Sequence, residues 1–143
     1  MTNSRFAVSV HILAYLAYRQ GVAVPSAEIA SSVSTNPVVI RRLLSALVKA
    51  RFVSTQKGAT GGFSLAQPPA KITLRDVYRS VEPNPTFGLA HFAPNHQCPV
   101  GAKIQSILHA SFARAQVSME TELGTMTLAD IHEQLQPVCP GKH

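Results

Sequence analysis

The 143-residue chain is 45% hydrophobic and 14% charged, which excludes a disordered segment and leaves one domain with a core of its own. Its formal charge of +6 is unevenly placed: residues 1–82 hold ten Lys and Arg against three Asp and Glu, a net +7, and residues 83–143 hold three against four, a net −1. A front half with that balance faces an anion, nucleic acid first and an acidic protein or lipid second.

The apolar run Phe6–Tyr18 has the length of a signal-peptide core, but Ser9 and His11 interrupt it. No segment approaches the roughly 20 apolar residues that span a bilayer, so the sequence predicts a soluble, cytoplasmic protein without a membrane partner. The stretch SRFAVSVHILAYLAYRQ predicts a helix with Phe6, Val10, Leu13, Ala14 and Ala17 on one stripe and further apolar residues on its flanks. Gly21 ends it, and VAVP is a short extended piece. SAEIASSV then makes a short helix with Ser26 as N-cap. His11, amid apolar residues, reads as a hydrogen-bonded core histidine rather than a ligand.

In STNPVVIRRLLSALVKA, Asn36 as N-cap followed by Pro37 is a helix start, because the N–H that proline lacks has no partner in the first turn. Ile40, Leu43, Leu44 and Leu47 form the buried stripe. Val38, Arg42, Ser45 and Lys49 gather on the opposite face with Arg41 beside them. Two helices joined by a tight turn, the second basic on its outer face, predict a helix-turn-helix.

FVSTQ and GFSLA read as two strands joined by the Lys57–Gly62 turn. A phosphate-binding loop would need Gly-Lys-Ser/Thr and then a helix, and here a strand ending in prolines follows. The glycine stretch is therefore a β-hairpin tip, with Lys57, Thr60 and Gly61 placed for phosphate or minor-groove contact. Thr73 and Asp76 are spaced as a capping box that opens another helix. Residues 83–99 are a Pro- and Asn-rich loop, and a long helix follows with Val100, Ile104, Ile107, Leu108, Phe112, Ala115 and Met119 at helical spacing. Thr127 with Asp130 starts a short last helix. The expected division is thus a winged-helix DNA-binding unit over 1–82, a connecting and sensing loop over 83–99, and a dimerisation helix, final helix and tail over 100–143. A long amphipathic helix beyond a complete small unit predicts pairing with its copy, and a two-fold dimer predicts an inverted-repeat site on double-stranded DNA.

This ordered set, carried by SRFAVSVHILAYLA, VPSAEIA, TNPVVIRRLLSALVKA, GATGGFSLAQPP and ITLRDVYRSVE, resembles the Rrf-type winged-helix regulators, relatives of the bacterial iron–sulfur cluster regulator. The resemblance covers about residues 4–135 and implies a fold that is mainly α with a small β-hairpin wing, and a dimeric transcription factor that is usually a repressor. Its recognition helix would be Asn36–Ala50 and its wing Phe52–Ala66. By position, Thr35, Val38, Val39, Arg41 and Arg42 fall where the family's helix meets bases and phosphates, and the two valines suit thymine methyls. Lys57 stands where many members put an arginine, and Arg5 matches a basic residue that opens the first helix.

Three departures accompany the resemblance. Arg51 stands where many members have the glycine that closes the recognition helix. Lysine at 57 reads groove shape less sharply than a guanidinium. Cluster-binding members carry three closely spaced cysteines where this chain keeps only Cys98, so no iron–sulfur cluster is expected and the chain resembles the cluster-less branch.

Cys98 is either an inert thiol or a redox sensor. Its place in a polar loop before a helix start favours a lowered pKa, and a disulfide with Cys139 is geometrically open. His91, His96 and Cys98, with Cys139 or His143 as a fourth ligand, match no compact zinc spacing. No paired acids or Ser/His/Asp spacing suggests catalysis, and a Cys98–His96 nucleophile lacks an orienting third group, so the chain is expected not to be an enzyme. Two alternatives stay open beside the redox-responsive repressor: a winged-helix scaffold without sequence-specific DNA binding, and a regulator gated by a small molecule of unknown identity.

Overall fold

The structure is a computed structural model, and it describes residues 4–89 and 93–135. Helix α1 (Arg5–Tyr18) is its centre, packed against α2 (Ser26–Val33), α3 (Pro37–Lys49), β2 (Gly62–Leu65), α4 (Leu74–Val81) and α6 (Leu128–Leu135). Because so many elements surround it, its buried positions are Ser9, Ile12, Leu13, Ala14, Leu16 and Ala17. The expected stripe is therefore turned: Phe6 and Val10 are only partly buried, and Ile12 and Leu16 take the centre. Ser9 is fully buried and its hydroxyl has no hydrogen-bond partner among the described residues. An unbonded buried hydroxyl is a net cost, so Ser9→Ala should raise stability by about 1 kcal/mol. Urea unfolding checks this, and a loss of stability would mean that the hydroxyl does bond.

Helix α2 starts one residue earlier than its serine suggested. Pro25 is the N-cap, and its carbonyl accepts from the N–H groups of Glu28 and Ile29. Helix α3 starts as expected: the Asn36 side chain accepts from Val38 N–H at 2.7 Å and Pro37 fills the first position. Ile40, Leu43, Leu44 and Leu47 are its buried residues.

Helix α3 ends with Arg51 in the left-handed region at φ 69°. Phe52 N–H bonds to Leu47 O and Arg51 N–H to Val48 O, each at 3.0 Å. That pair of bonds is a Schellman closure, and glycine is the residue that fits it without strain. Arg51→Gly should therefore stabilise the protein by about 0.5–1 kcal/mol, relief of side-chain strain outweighing the added freedom of the unfolded chain. A rise in the urea midpoint at unchanged m-value would confirm it, and a fall would show that the Arg51 side chain is worth more than its strain.

β1 (Val53–Gln56) and β2 pair antiparallel, from Val53 opposite Leu65 to Gln56 opposite Gly62. The extended piece before α2 joins them, because Val24 and Phe63 exchange two backbone bonds of 2.8 Å. A 3₁₀ turn over Pro69–Lys71 leads to α4, whose Thr73/Asp76 capping box has both bonds at 3.1 Å. The Thr127/Asp130 box opens α6 in the same way. The two starts lie side by side, with Leu74 N–H to Met126 O and Leu128 N–H to Ile72 O at 2.9 Å each. Leu128 is buried and Ile131 packs beside it. The final helix, expected to belong with residues 100–143, thus completes the core of the winged helix.

Helix α5 (Pro99–Leu123) has 25 residues, a length of about 37 Å, and none of them is buried. No helix among the described residues is long and apolar enough to cross a membrane.

Candidate nucleic-acid interface

The outer face of α3 follows from its inner one. With four large aliphatic side chains held in the core, helical geometry turns Val38, Val39, Arg41, Arg42, Ser45 and Lys49 outward, and all six are exposed. Lys57 and Thr60 are exposed on the wing tip.

The acids decide which cations remain available. Arg5 bonds to Glu82 at 3.1 Å, Arg79 to Glu120 at 2.5 Å, and Arg19 to Glu28. Those three arginines tie α1 and α4 to their neighbours. Among the described residues no carboxylate pairs with Arg41, Arg42, Lys49 or Lys57. The positive charge of the front half therefore divides into a structural share and a free share, and the free share on α3 and the wing includes these four residues.

The other expected contact residues are placed differently. Arg5 is engaged by Glu82 at the junction of α1 and α4 rather than by the face of α3. The Asn36 oxygen is used as the helix cap. Thr35 is half-buried, and its N–H bonds to Ala30 O at 3.3 Å. Gly61 is required internally: a Cβ there would lie 2.0 Å from the Gln56 carbonyl oxygen. His11 is exposed, not in the core, because the burial of α1 is turned away from it, and its Nε2 lies 3.0 Å from Ser32 Oγ.

The expected dimer face of α5 divides in two. Val100 and Ile107 are 67% and 59% exposed, Ala115 is exposed, and Ile104 and Leu108 are half-buried. Phe112 turns instead to the preceding loop of the same chain, its ring 5.5 Å from that of Phe87, and Met119 Sδ accepts from Thr86 Oγ1 at 3.5 Å. Gln116 bonds to Tyr78 Oη at 3.0 Å and accepts from Thr86 N–H at 3.1 Å. Glu120, held below the usual carboxylate range first by Gln116 and then by Arg79, completes this link between α4, the loop and α5. Sequence reasoning missed this network, since the bonds that join α4, the loop and α5 link residues 30 or more apart and their types are ordinary.

Cys98 is exposed and is the N-cap of α5. Asn95 shapes the turn before it, accepting from Gln97 N–H at 2.9 Å through its side chain and from Cys98 N–H at 3.2 Å through its carbonyl. Gly101 is needed here, for a Cβ would meet Asn95 O at 2.1 Å. The N–H of Gly101, then that of Val100, hold the thiol below its ordinary pKa. The thiolate is thus more populated at neutral pH than in a free cysteine. Alkylation by iodoacetamide should rise with pH to a plateau whose midpoint lies below that of a free thiol, measured in Cys139→Ser; a midpoint at or above that value would contradict the assignment. Among the described residues no three His, Cys, Asp or Glu side chains gather where they could hold a metal ion. His91, Cys139 and His143 lie outside the described residues.

A helix-turn-helix whose second helix shows a free basic face beside a hairpin wing defines a winged-helix DNA-binding protein. The comparisons agree. Residues 2–134 match Rrf2, iron-dependent transcriptional regulator, and the chain belongs to the Rrf2 family. It is 42% identical over 135 residues to YwnA of Bacillus subtilis (strain 168), assigned to the HTH-type transcriptional regulators; the match covers 94% of this chain and 99% of that protein. A solved structure assigned as a DNA-binding protein is 41% identical with a TM-score of 0.71, covering 90% of this chain and 98% of its own. A solved transcriptional regulator from Lactobacillus plantarum is 29% identical with a TM-score of 0.79, covering 94% and 91%. The chain is a DNA-binding transcriptional regulator, and its family consists of regulators, not enzymes.

Proposed function

We propose that the protein is a cytoplasmic, homodimeric repressor that reads an inverted-repeat operator. The observation that carries this reading is the exposed face of α3, where Arg41, Arg42 and Lys49 lack carboxylate partners among the described residues and follow Val38 and Val39 along the helix, with Lys57 on the adjacent wing. Arg41, Arg42, Lys49, Lys57, Ser45 and Thr60 contact phosphates and so supply affinity and register. Val38 and Val39, with Thr35 at their edge, face the bases. The exposed apolar side chains of Val100, Ile107 and Ala115 support pairing of α5 with its copy.

The donor set does not fit an iron–sulfur cluster. Such clusters are held by several thiolates, and this chain has two cysteines, of which Cys98 stands at a helix start and belongs to no group of three or more such ligands among the described residues. The protein acts without one, and its signal enters through the Cys98 thiolate, whose oxidation would disturb the start of α5. Cys98→Ser should bind the operator with an affinity that no longer changes on addition of peroxide; an unchanged oxidant response would remove Cys98 from the mechanism. A second reading rests on a cavity of about 360 Å³ lined by Phe87, Leu89, His109, Phe112, Gln116 and Val117. It suits a small apolar effector at the junction of loop and α5.

A gel shift of the reduced protein on its own upstream DNA, against excess random duplex, tests the main reading. A complex that survives the competitor supports sequence-specific regulation. Equal competition by random duplex would favour a scaffold that binds DNA only through charge.

A further inference from the structure

We propose that α3 reads pyrimidine 5-methyl groups, and so distinguishes thymine from uracil and accepts 5-methylcytosine in thymine's place. This rests on the reading of α3 as the DNA-facing helix and names what its leading end recognises.

The first turn of a helix ordinarily offers unpaired N–H groups to a phosphate. Here that turn is closed from within. Pro37 has no N–H, Val38 N–H bonds to the Asn36 side chain at 2.7 Å, and the N–H groups of Val39 and Ile40 bond to Asn36 O at 3.0 and 3.3 Å. From Pro37 to Ile40, therefore, the first turn of α3 keeps no backbone donor for a phosphate. What it shows to solvent is the paired isopropyl groups of Val38 and Val39, 49% and 38% exposed.

The cations of the same helix begin only at Arg41, one turn further on. Charge thus brings the polyanion to this face, and the first surface it meets at the leading end is apolar. In the major groove the 5-methyl of thymine is the apolar group on a base edge, and uracil lacks it. Cytosine gains the same group on methylation. A surface of γ-methyls senses that group through contact and loss of water, with no regard to the Watson–Crick edge beneath it. Each methyl buried in this way should be worth about fourfold in affinity, from ~0.8 kcal/mol per buried carbon.

The test begins with duplexes selected by the protein from a random pool. In a selected duplex each thymine is replaced in turn by deoxyuridine, and the Kd is measured by fluorescence anisotropy. Uracil should weaken binding about fourfold at one or two positions per half-site and nowhere else. At those positions cytosine paired with guanine should bind more weakly than 5-methylcytosine paired with guanine. Val38→Ser/Val39→Ser, which changes only exposed positions and is checked by its unfolding midpoint, should bind the thymine and uracil duplexes equally. A wild-type protein indifferent to uracil, or a uracil penalty that persists in the double variant, would overturn the proposal while leaving DNA reading intact. Failure to select any sequence would overturn both.

Discussion

Arg42→Ala/Lys57→Ala is expected to bind operator DNA with a far shallower salt dependence than the wild type. Each phosphate contact releases counterions and adds about 0.9 to the slope of log K against log salt. In the proposed dimer, two substitutions per protomer remove about four contacts, so the slope should fall by between 3 and 4 units. Between about 50 and 200 mM salt the wild type should therefore lose on the order of a hundredfold more affinity than the variant. Both side chains are exposed, and neither has a carboxylate partner among the described residues. The unfolding midpoint should stay put while binding collapses. Anisotropy titrations at four salt concentrations measure the slope, and parallel lines for the two proteins would show that these cations do not touch phosphate. Arg5→Ala is the contrasting substitution: it removes the Glu82 pair, so its effect should fall on stability.

Gly62→Ala should cost about 3 kcal/mol of stability and uncouple the wing from the core. A Cβ at this position would lie 2.5 Å from the carbonyl carbon and oxygen of Val24 and 2.8 Å from its nitrogen, and Gly62 holds φ at 153°. Backbone stands on the far side of the clash, so no rotamer change relieves it. The strand can admit the methyl only by giving up the two bonds between Val24 and Phe63. Gly58 supplies the control, with φ at 108° but nothing within 4 Å of its would-be Cβ. Gly58→Ala should cost only the left-handed penalty of about 1 kcal/mol. Urea unfolding of the two variants separates packing from backbone strain, and equal losses would contradict the close approach at Gly62.

These contrasts mark where the sequence was legible. Signals that close within four residues read directly: Asn36 and Pro37 opening α3, the two Thr/Asp capping boxes, the Ile40–Leu47 stripe, and the glycines between two short apolar runs. Their physics is local, so neighbouring residues are enough to specify it. Arrangements that depend on distant partners were not legible. The buried face of α1 was set by the elements around it, which a stripe on one helix does not name. Val24 meets Phe63 across 39 residues, and Leu128 returns to complete the core of the first unit. The division of the arginines is the same lesson in charge. Composition showed a basic front half, but only the fold matched Arg5, Arg19 and Arg79 to acids and left α3 and the wing tip without carboxylate partners among the described residues. Phe112 and Met119 kept the spacing of a dimer stripe and yet met the chain's own loop.

In the proposed dimer, the face of α3 and the wing together read DNA as a symmetric pair. Hydroxyl-radical footprinting of the upstream DNA with the reduced protein tests it most directly. Two protected segments related by an inverted repeat, their centres separated by whole helical turns of about 34 Å, with protection lost in Arg42→Ala/Lys57→Ala, is the predicted result. Uniform protection without sequence preference, or a pattern untouched by that double substitution, would contradict it.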